Sequence, residues 1–438
     1  MKKCFAVIGG GILGMMVAYR LSQEKYNVIL FEAGNRLGGL TSPWELNGIT
    51  WDKFYHVISN SDHHLLSLLK ELNLEKEISW IETKTGFFTE GRLHSMSNTL
   101  EFLKFSPLSF FDKIRLGLTI FIASRIKNWQ KLERISVESW LVKWSGKKTF
   151  RKIWLPLLRS KLGENYQETS AAFIWATIQR MYNARHSSHK REMFGYVNGG
   201  YSRILDRFTT FLNEKKVEVK IGFTVTKVET TKDKKLKILF EHQKEMVVDA
   251  VVLTVPSPMA SSISTNLSSG EKNRLNGAKY LGVICASILI KKPLSDYYVT
   301  NITEEGFPFT GVIEMSALVD KKYFGGHSLV YLPKYLASDD PMFSLSDDKI
   351  KKDFLKSLQR IHPELSISDI ICFRIARANF VFALSTLNYS ENLPPVCTSV
   401  PGVYILNSAH IVNGTLNVNE TIGLVHNKLD GILNNSSR

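Results

Sequence analysis

The hydrophobic pattern changes twice within the first 32 residues of the chain. An apolar run at 5–8 (FAVI) is typical of a buried strand, and apolar residues then recur with helical spacing from 15 to 23. A second apolar run at 27–31 ends in Glu32. Strands that are apolar at every position are typical of parallel sheets covered on both faces. The pattern therefore predicts a β-α-β unit at the start of the chain.

Two long segments farther along the chain have patterns of their own. Residues 98–192 predict a series of helices, because apolar residues recur at helical spacing after Ser and Pro start signals. Residues 261–378 predict several strands, with one helix at 347–361. We expect these two segments to be insertions into the unit that begins with the β-α-β pattern.

The turn between the first strand and the first helix has the spacing G-x-G-x-x-G. Gly9 allows a tight turn, Gly11 lets the backbone approach a pyrophosphate, and Gly14 allows the helix to pack closely. The first N–H groups of a helix have no intrahelical partner, so they favour a phosphate at this end. Glu32 would accept hydrogen bonds from ribose hydroxyls. These residues together predict a site for an adenine dinucleotide.

The loop after this acidic residue adds a second glycine pair. Residues 32–42 read EAGNRLGGLTS, which places Arg36 where it can reach the phosphates, just before Gly38 and Gly39. The segment resembles the E-x(3)-R-x-G-G-R signature of the flavin amine oxidase superfamily, which includes monoamine oxidases, protoporphyrinogen oxidases and phytoene desaturases. In that family this loop binds FAD, so the resemblance implies FAD as the cofactor. Leu40 replaces the second Arg of the signature and leaves one local cation.

Five later segments continue the resemblance in the order that the family has. They match the family's glycine motif and helix, its adenine-contacting strand, its strand under the flavin, its P-G-L-Y-x-A-G-D position and its isoalloxazine stretch. The matching residues are 195–212, 217–228, 247–256, 401–408 and 414–423. One departure is clear: Asn407 and Ser408 stand where the family has Gly-Asp. The contact that this Asp makes with FAD therefore falls to Ser408 or is lost.

The motifs and the resemblance together assign the residues that would contact FAD. These are Gly9, Gly11, Ile12, Leu13, Gly14, Glu32, Ala33, Arg36, Gly38, Gly39, Leu40, Thr41, Val225, Ser408, Leu416 and Asn417. The implied fold is α/β, with a Rossmann-type, GR2-like FAD-binding domain, an inserted α+β substrate domain and a helical subdomain. The corresponding ranges are 1–97, 193–260 and 379–438 for the FAD-binding domain, 98–192 for the helical insertion and 261–378 for the substrate domain.

His56 is the candidate for a catalytic residue. It follows Asp52 and the glycine loop, in a segment where the family's chain passes near the flavin. Its imidazole either moves a proton or holds the structure by hydrogen bonds, and both roles stay open. The sequence has no metal-ligand spacing, and it has no second G-x-G-x-x-G that would indicate a bound nicotinamide partner.

Composition adds one unusual feature, the charge. The 438 residues are 44% hydrophobic and 22% charged, which is typical of soluble globular proteins, but the net charge is +15. Residues 101–160 hold thirteen Lys or Arg against four Asp or Glu, interleaved with large apolar residues. This segment is either a solvated basic face or a contact with an anionic membrane surface, and both readings stay open. No nucleic-acid motif accompanies the charge, so nucleic acid is not an expected partner.

The residues and the resemblance lead to an expected function. We expect an FAD-dependent oxidoreductase that oxidises a hydrophobic substrate, isoprenoid-like or lipid-linked, by hydride transfer to flavin N5. The alternatives are a redox-neutral flavoenzyme similar to the sugar mutases and a flavin-fold scaffold protein without catalysis. The apolar run at 4–19 contains glycines and lacks a cleavage site, so we expect a cytoplasmic protein. A peripheral position on the inner face of the membrane follows if 101–160 contacts lipid.

Overall fold

A five-stranded parallel sheet forms the centre of the region that carries the glycine motifs. The computed structural model describes residues 2–185, 192–412 and 416–436. The strands, in spatial order, are Glu218–Ile221, Asn27–Glu32, Cys4–Ile8, Ala250–Leu253 and Val403–Ile405. Every pair of neighbours is parallel. The predicted β-α-β unit is confirmed, with Ile12–Gln23 as its helix.

Both faces of this sheet are covered, which explains why its strands are apolar at successive positions. In the first strand, Phe5 and Val7 pack into the core on one face, while Ala6 and Ile8 pack into the core on the other. The first face is covered by the helices Ile12–Gln23, His63–Glu71, Gly200–Glu214 and Val418–Ser436. The second face is covered by the antiparallel strands Val225–Thr230, Leu236–Phe240 and Glu245–Val248 and by the helices Ser257–Ile263 and Ser269–Gly277.

A larger sheet of seven strands forms a second layer of the molecule. Its spatial order is Ile370–Ala383, Tyr280–Ile290, Ser328–Ala337, Gly311–Glu314, Tyr297–Ile302, Lys84–Thr89 and Arg92–Ser95. The predicted helix Asp347–Ile361 is present and packs on this sheet. The sheet takes in residues 84–95 and continues to residue 383, both of which the sequence analysis assigned to the FAD-binding ranges. These residues belong to the large sheet because they pair with segments that are far away in the sequence. The division of the chain into domains stays a prediction.

The helical insertion has its own apolar core. Its helices are Thr99–Lys104, Phe110–Arg125, Val137–Thr149, Leu155–Leu162 and Ala171–Arg185. The Ser109 side chain caps the second helix by accepting from the Asp112 amide, and Ser136 caps the third by accepting from the Ser139 amide. A π-helical turn, Phe150–Trp154, leads into the fourth helix. Among the described residues, no helix is long and apolar enough to cross a membrane.

Two small antiparallel sheets connect these layers and position the segment around His56. One pairs Pro43–Leu46 with Ile49–Asp52. The other places Met193–Val197 between Ile58–Ser59 and Ile78–Glu82. The chain from residue 52 to residue 58 is thus held at both ends by strand pairing.

Candidate functional site

The first glycine turn is closed so tightly that two of its glycines admit no side chain. Gly9 has φ of 109°, a conformation that L-residues with a side chain rarely adopt. A Cβ atom on Gly14 would lie 1.8 Å from the Gly9 carbonyl oxygen. Gly11 is the N-cap of the helix Ile12–Gln23 and supplies no side-chain cap. Ile12 and Leu13 lie in the first turn of this helix, and their side chains are buried. The backbone N–H groups of this turn therefore point into the space beyond the N-terminal end of the helix.

The second glycine pair lies directly against the first. The Gly38 amide donates to the Gly10 carbonyl at 2.8 Å, and a Cβ on Gly39 would lie 3.1 Å from the Gly11 Cα. Leu40 and Thr41 continue into one 3-10 turn, Gly39–Thr41. The Thr41 hydroxyl closes that turn by donating to the Gly38 carbonyl at 2.9 Å. The first glycine turn, residues 9–14, and the second glycine loop, residues 38–41, thus form one continuous backbone surface, the glycine cradle.

Glu32 joins both loops at the end of the second strand. Its Oε2 accepts from the Gly10 amide at 2.7 Å, and its Oε1 accepts from the Gly34 amide at 2.7 Å. Each carboxylate oxygen has further acceptor capacity, which suits the hydroxyl pair of a ribose. Ala33, the next residue, is exposed at the rim.

Arg36 supplies the positive charge beside this cradle. Its Nη2 lies 3.5 Å from Asp206 Oδ1, and the side chain is 37% exposed. Its Nε is nevertheless buried and has no hydrogen-bond partner among the described residues. A buried guanidinium N–H without a partner is costly, and a diphosphate oxygen would satisfy it.

Val225 is held close to the ribose-binding end of the cradle by main-chain hydrogen bonds. The Gly222 amide donates to the Gly34 carbonyl, and the Phe223 amide donates to the Glu32 carbonyl, both at 2.9 Å. Val225 then begins the strand Val225–Thr230 and is partly buried. The structure therefore places Val225 near the C-terminal end of the second strand, and its contact with adenine stays a prediction.

The C-terminal residues assigned to FAD fall into two places. Ser408 and Leu416 line one small cavity together with Phe173, Phe382 and Ile411. Asn417 caps the helix Val418–Ser436, its Oδ1 accepting from the Glu420 amide at 2.9 Å. The start of the predicted isoalloxazine stretch, residues 414–415, lies outside the described residues.

Asn407 has a structural role that explains its presence at the departure from the family motif. Its side chain is 1% exposed, and its amide nitrogen donates to the Val255 carbonyl at 3.0 Å and to the Ser257 hydroxyl at 3.1 Å. Its carbonyl oxygen accepts from the Ala409 amide at 3.1 Å. The side chain therefore fixes the loop that presents Ser408.

His56 lies in a second small cavity, beside Asp52. Its Nδ1 is 3.8 Å from Asp52 Oδ2, beyond hydrogen-bond distance, and its ring packs 4.8 Å from the Tyr201 ring. Burial raises the pKa of Asp52, while His56 and the Tyr201 amide oppose that shift. The arrangement places an unpaired imidazole nitrogen next to a buried carboxyl group, and both roles predicted for His56 stay open.

Lys161 is a residue that the sequence analysis did not select. Its Nζ lies 5.5 Å from the centre of the Tyr335 ring, and the Tyr335 hydroxyl is 2.8 Å from the Tyr55 hydroxyl. Burial, with a smaller effect from Arg180, lowers the pKa of Lys161 to about 8. Nothing in the sequence separates this lysine from the surface lysines around it, because its burial depends on strands 170 or more residues away.

Comparison with known proteins identifies the family. A family model described as flavin containing amine oxidoreductase matches residues 14–405. The chain belongs to this family. It is therefore an FAD-dependent oxidoreductase, as the resemblance to the flavin amine oxidases implied.

The relatives share this fold across several activities. Protoporphyrinogen oxidase 1 of spinach chloroplasts (Spinacia oleracea) is 24% identical over 397 residues, which are 81% of this chain and 69% of that protein. The matches to other curated relatives cover 24–66% of those proteins. An oxidoreductase from Methanosarcina mazei superposes with a TM-score of 0.75 at 17% identity, over 97% of this chain and all of that one (100%). Reduced UDP-galactopyranose mutase superposes with a TM-score of 0.75 at 15% identity, over 99% of this chain and 94% of that one.

The residues around the cradle fit the FAD that the family binds. The unpaired N–H groups of the first helix and the orphaned Nε of Arg36 suit a diphosphate. The Glu32 carboxylate suits a ribose, and Val225 stands where the adenine would follow. The direct assignment of each residue to an FAD atom stays a prediction.

Proposed function

We propose that this protein oxidises a hydrophobic substrate, isoprenoid-like or lipid-linked, at a carbon–carbon or carbon–nitrogen bond. The observation that carries the proposal is the small cavity in which Ser408 and Leu416, both assigned to FAD, meet Phe173 and Phe382 of the helical insertion and the large sheet. Apart from Ser385 and Ser408, the residues that line it are apolar. An apolar wall there favours an apolar substrate and excludes water.

The protein's own residues would bind and orient the substrate and exclude solvent from it. When bound, FAD supplies the two-electron acceptor that takes a hydride at N5. The cradle from Gly9 to Thr41 would hold the cofactor mainly through backbone groups, which are fixed by the hydrogen bonds between the two glycine loops. The rings of Phe173 and Phe382, stacked with centres 6.4 Å apart, form a rigid surface for a flat or extended apolar substrate.

The proposal includes His56 as the residue that handles a proton. Its side chain is 18% exposed, and its Nδ1 has no hydrogen-bond partner among the described residues. An imidazole that is partly accessible and beside a carboxyl group can take a proton and pass it to solvent. A His56→Asn variant should retain FAD and reduce its flavin more slowly with substrate; an unchanged rate of flavin reduction would leave His56 a structural role.

Anaerobic reduction of the FAD-loaded protein tests the function. Apolar candidates, an isoprenoid alcohol and a long-chain amine among them, are added while the visible flavin absorbance is followed. We expect bleaching of the flavin together with one equivalent of desaturated product. Turnover only after chemical reduction, with no net substrate oxidation, would instead support the redox-neutral alternative. Absence of both responses in protein that holds FAD would support the scaffold alternative.

A further inference from the structure

We propose that Lys161 binds an anionic group, a carboxylate or a phosphate, on the otherwise apolar substrate. The inference rests on the proposed function, since it places this group in the same substrate space. It adds a chemical class to that substrate: an acidic amphiphile rather than a neutral hydrocarbon.

The position of Lys161 is fixed by its neighbour in the helix Leu155–Leu162. The Ser160 hydroxyl donates to the Thr310 carbonyl at 3.1 Å, and the Thr310 hydroxyl donates back to the Ser160 carbonyl at 2.9 Å. This reciprocal pair fastens the helical insertion to the large sheet. Lys161 is therefore held inside the molecule by main-chain anchoring and not by a partner for its charge.

The surroundings of Lys161 leave its charge without a counter-ion. The groups near it are the Tyr335 ring, whose hydroxyl is hydrogen-bonded to the Tyr55 hydroxyl, and Arg180, which is itself paired with Asp62 at 3.1 Å. No acidic group among the described residues offsets the Lys161 charge. An enclosed ammonium group without a carboxylate is costly, and a bound anion would remove that cost.

An aromatic wall connects Lys161 to the residues assigned to FAD. The Tyr335 ring lies 5.9 Å from the Phe382 ring, and Phe382 lines the cavity that contains Ser408 and Leu416. Lys161 keeps some accessible surface, so a ligand can reach its side chain. A substrate lying along Tyr335 and Phe382 would thus place its acidic end at Lys161 and its apolar part toward the cofactor.

The charge state of Lys161 gives the subsite a pH dependence. Because burial lowers the pKa of this lysine to about 8, the side chain is mostly charged at neutral pH and mostly neutral above about pH 9. Tyr335, with a pKa raised by burial to about 12, and Tyr55, whose pKa burial raises further, stay neutral over this range. Anion affinity should therefore fall as the pH rises through about 8.

The test uses FAD-loaded protein and three probes with the same apolar chain: decanoate, decyl phosphate and decanol, each below its micelle concentration. Binding is read from the perturbation of the flavin absorbance. We expect at least one of the two anions to bind at least about tenfold more tightly than decanol. Whether decanoate or decyl phosphate binds more tightly then tells whether the subsite takes a carboxylate or a phosphate. Lys161→Met should remove this preference without changing decanol affinity, whereas Lys161→Arg should keep part of it. Lys131→Met, at an exposed position of the same insertion, is the matched control.

Two results would overturn the subsite. The first is that the wild type binds the anions no more tightly than decanol, or binds none of the three probes. The second is that Lys161→Met keeps the wild-type preference for anions over decanol. These results do not depend on turnover. If the anions bind as expected but no substrate ever reduces the flavin, the proposed function fails while the subsite stands.

A different observation supports a second inference. We infer that the outer face of the helix Phe110–Arg125 docks on an anionic lipid bilayer. This outer face consists of Phe110, Phe111, Ile114, Leu118 and Phe121, which are between 47% and 76% exposed. At about 100° per residue, they lie within one side of the helix.

The opposite side of the same helix already supplies the contacts that the fold needs. Leu116, Thr119 and Ala123 are buried there against the helices Val137–Thr149 and Ala171–Arg185. A helix on a protein surface normally presents polar residues to solvent. The preceding helix extends the apolar area with Leu100 and Leu103, which are 71% and 51% exposed. So large a contiguous apolar area is typical of an interaction surface.

The charges around the outer face favour anionic lipid as its occupant. Arg115 and Arg125 lie at its margins, and no acidic residue of the helix is exposed. Asp112 is buried and 3.4 Å from Lys148, and Glu133 is buried and accepts from Ser390. Two of the four acidic residues of 101–160 are thus buried, Glu101 is partly buried and Glu138 is exposed, while most of the thirteen basic residues remain on the surface. Apolar side chains bordered by cations match the interface of an anionic membrane.

Vesicle flotation of the full chain tests this surface. We expect binding to phosphatidylcholine vesicles that contain phosphatidylserine, and much weaker binding to phosphatidylcholine alone. Phe111→Ser combined with Leu118→Ser should reduce the floated fraction at least about tenfold, and Arg115→Glu with Arg125→Glu should remove the preference for phosphatidylserine. Ile367→Ser combined with Leu345→Ser, at equally exposed positions elsewhere, is the matched control and should float like the wild type.

The inference fails if the wild type does not float or if the Phe111 and Leu118 variant floats unchanged. It also fails if the wild type is a dimer in solution that this variant converts to a monomer, because a second copy of the chain would then cover the face.

Discussion

The glycine cradle and the outer face of the helical insertion are constrained in opposite ways. In the cradle, backbone approaches backbone, so that a single added methyl at Gly14 would collide with the Gly9 carbonyl oxygen at 1.8 Å. On the outer face, Phe111 and Leu118 are 76% and 47% exposed, so their side chains are much less constrained by packing. The comparison teaches how differently the two regions should respond to substitution: the cradle depends on a backbone shape that only glycine permits, whereas the proposed docking of the outer face would depend on the apolar character of its side chains.

Gly14→Ala should have the largest effect, because its Cβ has no room without moving the first turn. We expect loss of nearly all bound FAD, measured as the ratio of flavin to protein absorbance after purification. Gly431→Ala is the control, since a Cβ there meets nothing within 4 Å. FAD retained by Gly14→Ala at the wild-type ratio would contradict the steric account of the cradle.

Leu116→Ala should be the most damaging substitution within the helix Phe110–Arg125. The side chain is 5% exposed in the core of the insertion, and removing it leaves a cavity that costs about 2–5 kcal/mol of unfolding free energy. Chemical denaturation of the FAD-loaded protein measures the change. Stability equal to that of the wild type would show that this side of the helix does not carry the packing.

Glu32→Gln should weaken FAD binding by about tenfold to a hundredfold. The carboxylate accepts from two backbone amides, at Gly10 and Gly34, and a glutamine offers only one oxygen to replace them. Fluorescence quenching on titration of apoprotein with FAD gives the dissociation constant. Glu24→Gln, the same substitution at an exposed position outside the cradle, serves as control, and equal affinities for the two variants would remove Glu32 from the site.

Leu118→Ala should have the smallest effect on stability. Because this side chain is 47% exposed, we expect a change in the free energy of unfolding within about 0.5 kcal/mol. The contrast with Leu116→Ala, two residues away, measures the two sides of one helix under the same conditions. A destabilisation similar to that of Leu116→Ala would mean that the outer face packs within the protein.

The parts of the molecule that the sequence predicts are those set by local rules. The β-α-β unit follows from apolar runs and glycine spacing, and the capped helix starts at Ser109 and Ser136 follow from short-range hydrogen bonding. The place of residues 84–95 in the large sheet does not, because it depends on pairing with Tyr297–Ile302. Lys161 is missed for the same reason: its enclosure comes from Tyr335 and Thr310, far along the chain.

Asn407 illustrates a middle case. The sequence identifies it as a departure from the family motif, yet the reason is visible only in three dimensions. Its buried side-chain amide donates hydrogen bonds to the Val255 carbonyl and the Ser257 hydroxyl. Asn407 therefore stabilises the loop that presents Ser408. A departure from a motif can therefore preserve the position of a site while changing which atoms meet the ligand.

The most direct test of the division between cofactor cradle and docking face is one flotation gradient read by flavin absorbance. Wild-type protein loaded with FAD is mixed with vesicles that contain phosphatidylserine, beside the Phe111→Ser and Leu118→Ser variant. We predict that the wild-type flavin floats with the vesicles, while the variant holds the same amount of flavin and leaves it at the bottom of the gradient. Variant flavin that floats with the vesicles, or a variant that has lost its flavin, would contradict the separation of the two regions.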